Sequence, residues 1–463
     1  MITSLRTWFE SLFRSGFIRS VSVLAGGTAL AQVLVALVLP LLTRLYTPGD
    51  FSLLAVYVSM LGIISVAACL RLEIAIPMPE HDQDAANLLI LALCCSAIVG
   101  VATALAVVFF SGQIIELVAQ PKLKSYLWML PLGVWLTSSY AALQFWATRK
   151  KNFRLIAKTR LSQAVAGVGV QVGLGWAGII PAGLLAGQTI NSGGGIFGLL
   201  RDTLKHEREV LRLVTRRDMR RMLRRYDRFP KYSTLESLAN SAGIQIPIIM
   251  IATSAFGPKA GLLMLAMRVM QAPMALVGNA VAQVYLSKAP EELREEKLAG
   301  FTSGIIGGLA KSGVGPLLFA GCVAPVAFPL LFGAKWSLAG VYVTWMTPWL
   351  VMQFLSSPVS MTLHVTNNQL AALFLQLLGL VLRVGAVALA VRVADDSVVE
   401  WYAVSGFVFY AIYLGVVARI SGIPPRGLIR AIFSGAWMIG FWLVLAVIAR
   451  WTLGLLVTSV GMV

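Results

Sequence analysis

Apolar residues along this chain come in long unbroken runs rather than in alternation, separated by short polar or glycine- and proline-bearing stretches. Thirteen runs lie near 21–43, 51–70, 86–110, 126–148, 161–179, 181–200, 233–254, 260–286, 303–332, 338–363, 370–392, 398–418 and 431–450. Most hold about 20 residues, the length of helix that crosses roughly 30 Å of hydrocarbon. A helix in that medium satisfies its own backbone hydrogen bonds, whereas a membrane barrel would alternate polar and apolar over strands of about 10 residues. The pattern therefore predicts an all-α polytopic membrane protein of 12 to 14 transmembrane helices and excludes a barrel. The ninth run is too long for one straight span, since about 30 helical residues reach about 45 Å. Gly313, Gly315 and Pro316 are placed to break it, and its first third reads as an extension beyond the membrane. The apolar residues from Trp451 read as part of an extra C-terminal helix or as the returning half of a hairpin.

Composition agrees: 58% of the 463 residues are hydrophobic and 13% are charged, against about 25% charged in a soluble domain. The net charge of +18 is read as topology, because Lys and Arg are retained on the cytoplasmic side of a membrane protein. With the N-terminus inside, the cytoplasmic segments hold 28 of these residues and the outer ones 6. That asymmetry orients the chain and leaves no reason to expect a nucleic-acid partner. Residues 1–20, with Arg6, Arg14 and Arg19 among apolar neighbours, read as an interfacial helix and not as a cleavable signal. Cys69, Cys94, Cys95 and Cys322 sit in apolar segments without metal-ligand spacing, so neither a disulfide framework nor a metal site is expected.

Residues 201–232 form the one long polar stretch and carry 12 Lys and Arg. They divide the chain into an N-lobe over 21–200 (helices 1–6) and a C-lobe over 233–420 (helices 7–12), with 421–463 as the extra C-terminal helix or hairpin. The basic residues alternate with Leu204, Leu211, Val214, Met222 and Leu223, and Thr215 followed by Asp218 has the spacing of a capping box. Two readings fit: an amphipathic helix lying on anionic lipid headgroups, or a solvated linker that only sets topology. Pro40-Leu41-Leu42 in the first half can be laid against Pro247-Ile248-Ile249 in the second. An even number of spans per half suits a parallel repeat.

No catalytic, nucleotide-binding or metalloprotease motif is present, so the chain is not read as an enzyme and no cofactor is expected. Polar residues inside the spans carry the chemistry instead, because they are costly in hydrocarbon and face a cavity or a partner. On the eighth segment Arg268, Gln271, Asn279 and Gln283 fall within about 120° of arc at the helical period. A guanidinium there suits a phosphate or a carboxylate, and an internal bond between helices is the competing explanation. The seventh segment has a second stripe of Tyr232, Glu236, Asn240, Gly243 and Pro247, in which Glu236 is an ion-coupling candidate and interfacial solvation is its alternative. Arg383 is the second deep cation, to be explained by a cavity or by pairing. Gly169 with Gly173, Gly183 with Gly187, and Gly304 with Gly308 have the spacing of small residues that let helices pack closely. From physics alone, these features describe a two-halved transporter-like bundle with a cationic interior and an anionic substrate.

Four stretches carry a resemblance. Leu39-Pro40-Leu41-Leu42-Thr43-Arg44-Leu45-Tyr46-Thr47-Pro48, then Asp50-Phe51, resembles a first-hairpin motif, with Ser52 where Gly is usual. Leu70-Arg71-Leu72-Glu73-Ile74-Ala75-Ile76 resembles the end of a second helix. Arg228-Phe229-Pro230-Lys231-Tyr232, continuing to Pro247, and Met267-Arg268 to Pro273 and Gln283-Val284 follow in order over about residues 20–290. Together they resemble the polysaccharide flippases of the multidrug/oligosaccharidyl-lipid/polysaccharide exporter superfamily.

The resemblance implies two six-helix lobes in a V around a central cationic cavity, in the cell inner membrane. The implied substrate is an oligosaccharide repeat unit of O-antigen, capsule or exopolysaccharide on undecaprenyl diphosphate, moved from the cytoplasmic to the periplasmic leaflet. Arg268 and Arg383 would then neutralise the diphosphate, with Gln271, Asn279, Gln283 and Asn240 as sugar-facing groups. Arg44, Arg71 and Glu73 occupy motif positions at helix ends, where a gate and a fold-holding ion pair are both open readings. A polysaccharide polymerase and a chain-length regulator are implied partners, beside membrane lipids. Competing readings are an ion-coupled multidrug exporter, a peptidoglycan-precursor flippase and, of a different class, a membrane glycan polymerase or ligase.

Overall fold

The computed structural model describes residues 16–253, 258–366 and 368–459, so most of the expected interfacial helix at 1–20 lies outside the described residues. Among them there is no strand. In chain order the helices are α1 Gly16–Leu45, α2 Pro48–Ala68, α3 Leu72–Ala75, α4 Asp82–Val118, α5 Met129–Arg149, α6 Phe153–Trp176 and α7 Ala182–Gly193. There follow α8 Ile196–His206, α9 Arg208–Arg212, α10 Arg216–Arg225, α11 Thr234–Thr253, α12 Pro258–Arg294 and α13 Leu298–Leu309. The rest are α14 Gly315–Phe332, α15 Ser337–Ser356, α16 Thr362–Val365, α17 Gln369–Val393, α18 Val398–Ile420, α19 Pro425–Phe433 and α20 Ala436–Ser459. Among the described residues, nine helical stretches are long and apolar enough to cross a membrane. The protein is a multi-pass membrane protein. Residues 451–459 continue α20 and do not turn back. The long ninth run is one helical stretch over Leu298–Phe332, and where a break was expected it carries a π-helical segment, Ala310–Val314, between α13 and α14.

Local chemistry accounts for several boundaries. Thr47 caps α2: its hydroxyl accepts from the Asp50 amide at 3.3 Å, while the Asp50 carboxylate accepts from the Thr47 amide at 2.9 Å and from the Thr47 hydroxyl at 2.6 Å. Pro48 occupies the first helical position, where a missing N–H is harmless. The Thr-Pro-x-Asp spelling of the first-hairpin motif is thus a helix-start signal. Thr215 caps α10 in the same way, accepting from the Asp218 amide at 3.1 Å. After α2 the chain reverses through Leu70 and Arg71 at φ 52° and 56°, left-handed values that cost non-glycine residues of order 1–3 kcal/mol each.

By its contacts the chain forms two compact units, one of Met1–Val38, Met60–Leu117 and Pro121–Leu238, the other of Leu39–Ser59, Val118–Gln120 and Ala239–Val463. The core of the first unit gathers Leu72, Ile76, Leu88, Leu89, Leu143, Trp146, Ile156 and Leu199, and includes Met222 of α10. Leu211 and Val214 pack against the same cluster. The linker's apolar residues at these three positions therefore face protein, which corrects the picture of a helix laying its whole apolar face on lipid. Burial of Met222, 1% exposed, is worth about 1.5–3 kcal/mol, more than an isolated ten-residue helix supplies by itself.

In the second unit α14 runs along α15 and α20, and α15 and α17 along α18. The corner of the first hairpin is part of this unit. Trp336, 1% exposed, donates its indole N–H to the Thr43 carbonyl at 3.1 Å and meets the Phe51 ring edge-on at 4.9 Å. Carbonyls in the last turn of a helix lack an intrahelical partner, so the indole completes the end of α1. Gly261 of α12 lies directly against the Pro48 carbonyl and the Ser52 amide.

Glycine spacing identified Gly187 among the packing glycines but missed its partner. Gly169, Gly173, Gly304 and Gly308 have nothing within 4 Å of a built Cβ. The tight α6–α7 contact is made by Gly167 and Gly187, whose Cβ atoms would each meet the other's carbonyl oxygen. Spacing reports periodicity and not which face is covered. Gly261→Ala should therefore destabilise the protein by about 1–3 kcal/mol, read as a lower melting temperature in detergent. Gly169→Ala should leave it unchanged or raise it, and equal effects of the two would contradict this packing.

Candidate substrate-handling site

The sequence-derived candidates fall into distinct settings. Arg268 is half-buried on α12, Gln271 and Gln283 of the same helix are exposed, and Asn279 lies outside the residues whose side chains are described. Asn240 is exposed on α11, while Gly243 and Pro247, farther along the same stripe, are buried. Gly243 seats α11 against the α17 backbone, 3.1 Å from a built Cβ to Leu380 Cα. The Tyr402 hydroxyl donates to the Ile244 carbonyl at 3.3 Å, which ties α18 to the same helix. Glu236 is half-buried and belongs to the first unit, whereas Asn240, Arg268, Gln271, Gln283 and Arg383 all belong to the second.

Arg383 lies where α17 meets α18. It is 1% exposed, with its guanidinium over the Phe409 ring at 4.2 Å and near the Tyr410 ring at 5.2 Å. Close approach is possible because Gly379, one turn earlier, leaves room for the Phe409 ring. Nε and Nη2 have no hydrogen-bond acceptor, and among the described residues no carboxylate pairs with this cation. An aromatic face offers a desolvated guanidinium about 2 kcal/mol, less than the several kcal/mol of dehydration. Arg383 is thus an enclosed cation with unused donors, and in this structure it does not border an open chamber.

Arg71 and Glu73 are brought together, Nη1 to Oε1 at 3.6 Å. Glu73 is 6% exposed, and its Oε2 and Arg71 Nε lack partners. Burial pushes the Glu73 carboxyl above its ordinary value, opposed by its own backbone hydrogen bond and by the Arg71 charge. Arg44 is exposed in the last turn of α1 and belongs to the other unit.

Other polar contacts had no sequence signal. Arg160 reads as part of the basic run 149–160, yet α6 starts at Phe153, which sets it two turns along the helix. It donates to Thr28 Oγ1 at 3.3 Å and to Gln144 Oε1 at 3.2 Å. Ser59 donates to Gln245 Oε1 at 2.9 Å, joining α2 to α11. Lys150 bridges Asp82 and Glu207 at 2.8 Å each, beside a cavity of about 460 Å³ lined by Trp146, Asn152, Asp202 and His206 among others.

This bundle, with its half-buried and enclosed guanidiniums and broken helices, can be set beside known proteins. The family described as polysaccharide biosynthesis protein matches residues 41–341. The chain belongs to that family. No curated protein sequence matches it. Among solved structures it is similar to the lipid II flippase MurJ in an inward closed conformation, with TM-score 0.69 and 13% identity over 96% of this chain and 98% of that one. It is also similar to an inward-facing multidrug resistance MATE family transporter of the MOP superfamily, with TM-score 0.58 and 15% identity over 84% and 95%. A MOP superfamily transporter from Pyrococcus furiosus gives 0.55 and 15% over 89% and 97%. This polysaccharide biosynthesis protein therefore has the all-helical fold of these transporters. The matched segment contains Arg268 and the Arg71–Glu73 corner and ends before Arg383.

Two stability measurements follow. A carboxyl whose pKa rises on folding favours the folded chain when protonated, so the Glu73 corner is most stable below about pH 4.3 and weakens as pH climbs through the raised value. Glu73→Gln should flatten the decline of melting temperature as pH rises above about 4.3; an unchanged slope contradicts the assignment. Arg383→Met should be neutral or stabilising by about 1–4 kcal/mol, and a large loss of stability would reveal a guanidinium satisfied by its surroundings.

Proposed function

We propose that the protein carries oligosaccharide repeat units on undecaprenyl diphosphate across the bacterial inner membrane, from the cytoplasmic to the periplasmic leaflet. Membership of a polysaccharide biosynthesis family, joined to a transporter fold, is the observation that supports this reading most strongly. A headgroup bearing a diphosphate and many hydroxyls cannot cross hydrocarbon unaided, because nothing there replaces its hydrogen bonds with water. Cations held within the bundle replace part of that water, and Arg268 is the residue assigned to the diphosphate. Gln271, Gln283 and Asn240, exposed on α12 and α11, supply hydrogen bonds to sugars, with Asn279 in the same stripe. Arg383 is assigned a second anion contact that requires α17 and α18 to part. The lipid tail stays in the bilayer, and alternating access of the two halves moves the headgroup.

The likeness to MurJ keeps a peptidoglycan-precursor substrate as the second reading, in which the same diphosphate chemistry serves a different glycan. Export of cationic drugs suits the site less well, since its deep charges are arginines.

Deleting the gene should strand lipid-linked repeat units on the cytoplasmic face, and the unmodified chain should restore surface glycan. Arg268→Ala should insert normally yet restore about tenfold less, the loss of one charge-assisted contact. Surface glycan that persists in the deletion strain, with no second flippase present, contradicts the proposal. A halt in cell-wall synthesis instead of surface glycan identifies the second reading.

A further inference from the structure

The linker carries a charge arrangement that transport does not use. On α8, Phe197, Leu200 and Leu204 are 69%, 36% and 52% exposed and follow one another at helical spacing, so they form a single uncovered apolar face. In a membrane protein such a face meets lipid tails. It ends at Leu204; exposed Arg201 stands beside it, and the rest of the basic run follows from Lys205. The chain therefore leaves the hydrocarbon at this point, and α9 and α10 follow at headgroup depth.

α10 is held there by side chains from the start of α4. The Thr215 amide donates to Asn87 Oδ1 at 3.3 Å, Gln83 Nε2 donates to the Leu213 carbonyl at 3.3 Å, and Arg221 Nη2 donates to Asp84 Oδ1 at 3.0 Å. With Met222 buried beneath it, the helix is docked on one side and open on the other. Four of the linker's five acids are already engaged, Glu207 by Lys150, Asp202 by His206, Asp218 by Arg221 and Asp227 by Lys231, and Glu209 is exposed. Arg212, Arg216, Arg217, Arg220, Arg224 and Arg225 are exposed, and among the described residues none of them has a carboxylate within 4.0 Å.

We propose that this arginine face is a docking surface for phosphate-bearing anionic lipids of the leaflet it borders, the cytoplasmic one by the charge bias of the chain. Lipid is favoured over an acidic protein because the face continues the lipid-facing stripe of α8, and because Leu213 and Leu223, 54% and 37% exposed, stand among the arginines. Phosphates take the free guanidiniums while the leucines reach the acyl boundary. The docked side makes this a fixed collar, not an inserted helix. The proposal is independent of which glycan the protein carries.

The test uses the full-length protein in mixed micelles of phosphatidylglycerol and phosphatidylcholine, with retained lipids counted by native mass spectrometry. The unmodified chain should retain phosphatidylglycerol preferentially. Replacing the six arginines together by Gln should lower that preference at least tenfold, since a single basic residue contributes about fivefold at an anionic surface. The melting temperature of that variant reports whether it is folded. If it is not, Arg216→Gln with Arg220→Gln is the lighter variant, with a drop of about threefold expected. No preference in the unmodified chain, or a folded variant that keeps the full preference, overturns the proposal. An acidic-protein partner would produce the first of these outcomes.

Discussion

Charge held away from water is the constraint on which the rest of this structure depends. A bundle whose helices cross hydrocarbon has few places for a cation, and each must find a carboxylate, an aromatic face, an interface or a ligand. Among the described residues the carboxylate partners lie outside the long apolar runs. Asp82 receives Arg149 and Lys150, and Asp84 receives Arg221. Arg383 has two aromatic rings instead. The basic excess of the chain is thus divided between a fixed rim, where acids and solvent satisfy it, and an interior in which Arg383 is enclosed against aromatic rings.

That division gives the two kinds of basic residue different work. At the rim, ion pairs and caps lock the linker to the first unit, so that a segment of mostly charged residues is an ordered helix. In the interior, an enclosed guanidinium with unused Nε and Nη2 donors is a store of unmet hydrogen bonding. It favours any motion that brings an anion or water to it. The left-handed Leu70–Arg71 corner, with a buried Glu73 beside it, is a second strained feature.

Much of the fold was legible because hydrocarbon imposes a single spacing on the sequence: runs of about 20 apolar residues mark helices with little competition. The caps at Thr47 and Thr215 and the irregular helical segment that contains Gly313 were legible for equally local reasons. What escaped was everything decided by which face is covered. The small-residue spacings named Gly169 and Gly173, whereas the packing glycine on α6 is Gly167. Leu211, Val214 and Met222 were open to lipid or to solvent in the sequence, and they face protein. The Leu39–Ser59 corner is tied to the second unit by residues as far away in the chain as Gln245, Gly261 and Trp336. For the candidate site, the residue types and the α12 stripe were readable, but the enclosure of Arg383 by Phe409 depends on how α17 meets α18.

The most direct measurement is leaflet-resolved. Purified protein is reconstituted into sealed vesicles whose lipid-linked oligosaccharide has been labelled on one face only, and the arrival of sugar at the other face is followed with an impermeant lectin. The account predicts transfer well above protein-free vesicles, carried by the diphosphate-linked glycan and not by a neutral glycolipid of the same sugar. Transfer no faster than in empty vesicles, or equal transfer of the neutral glycolipid, would contradict it.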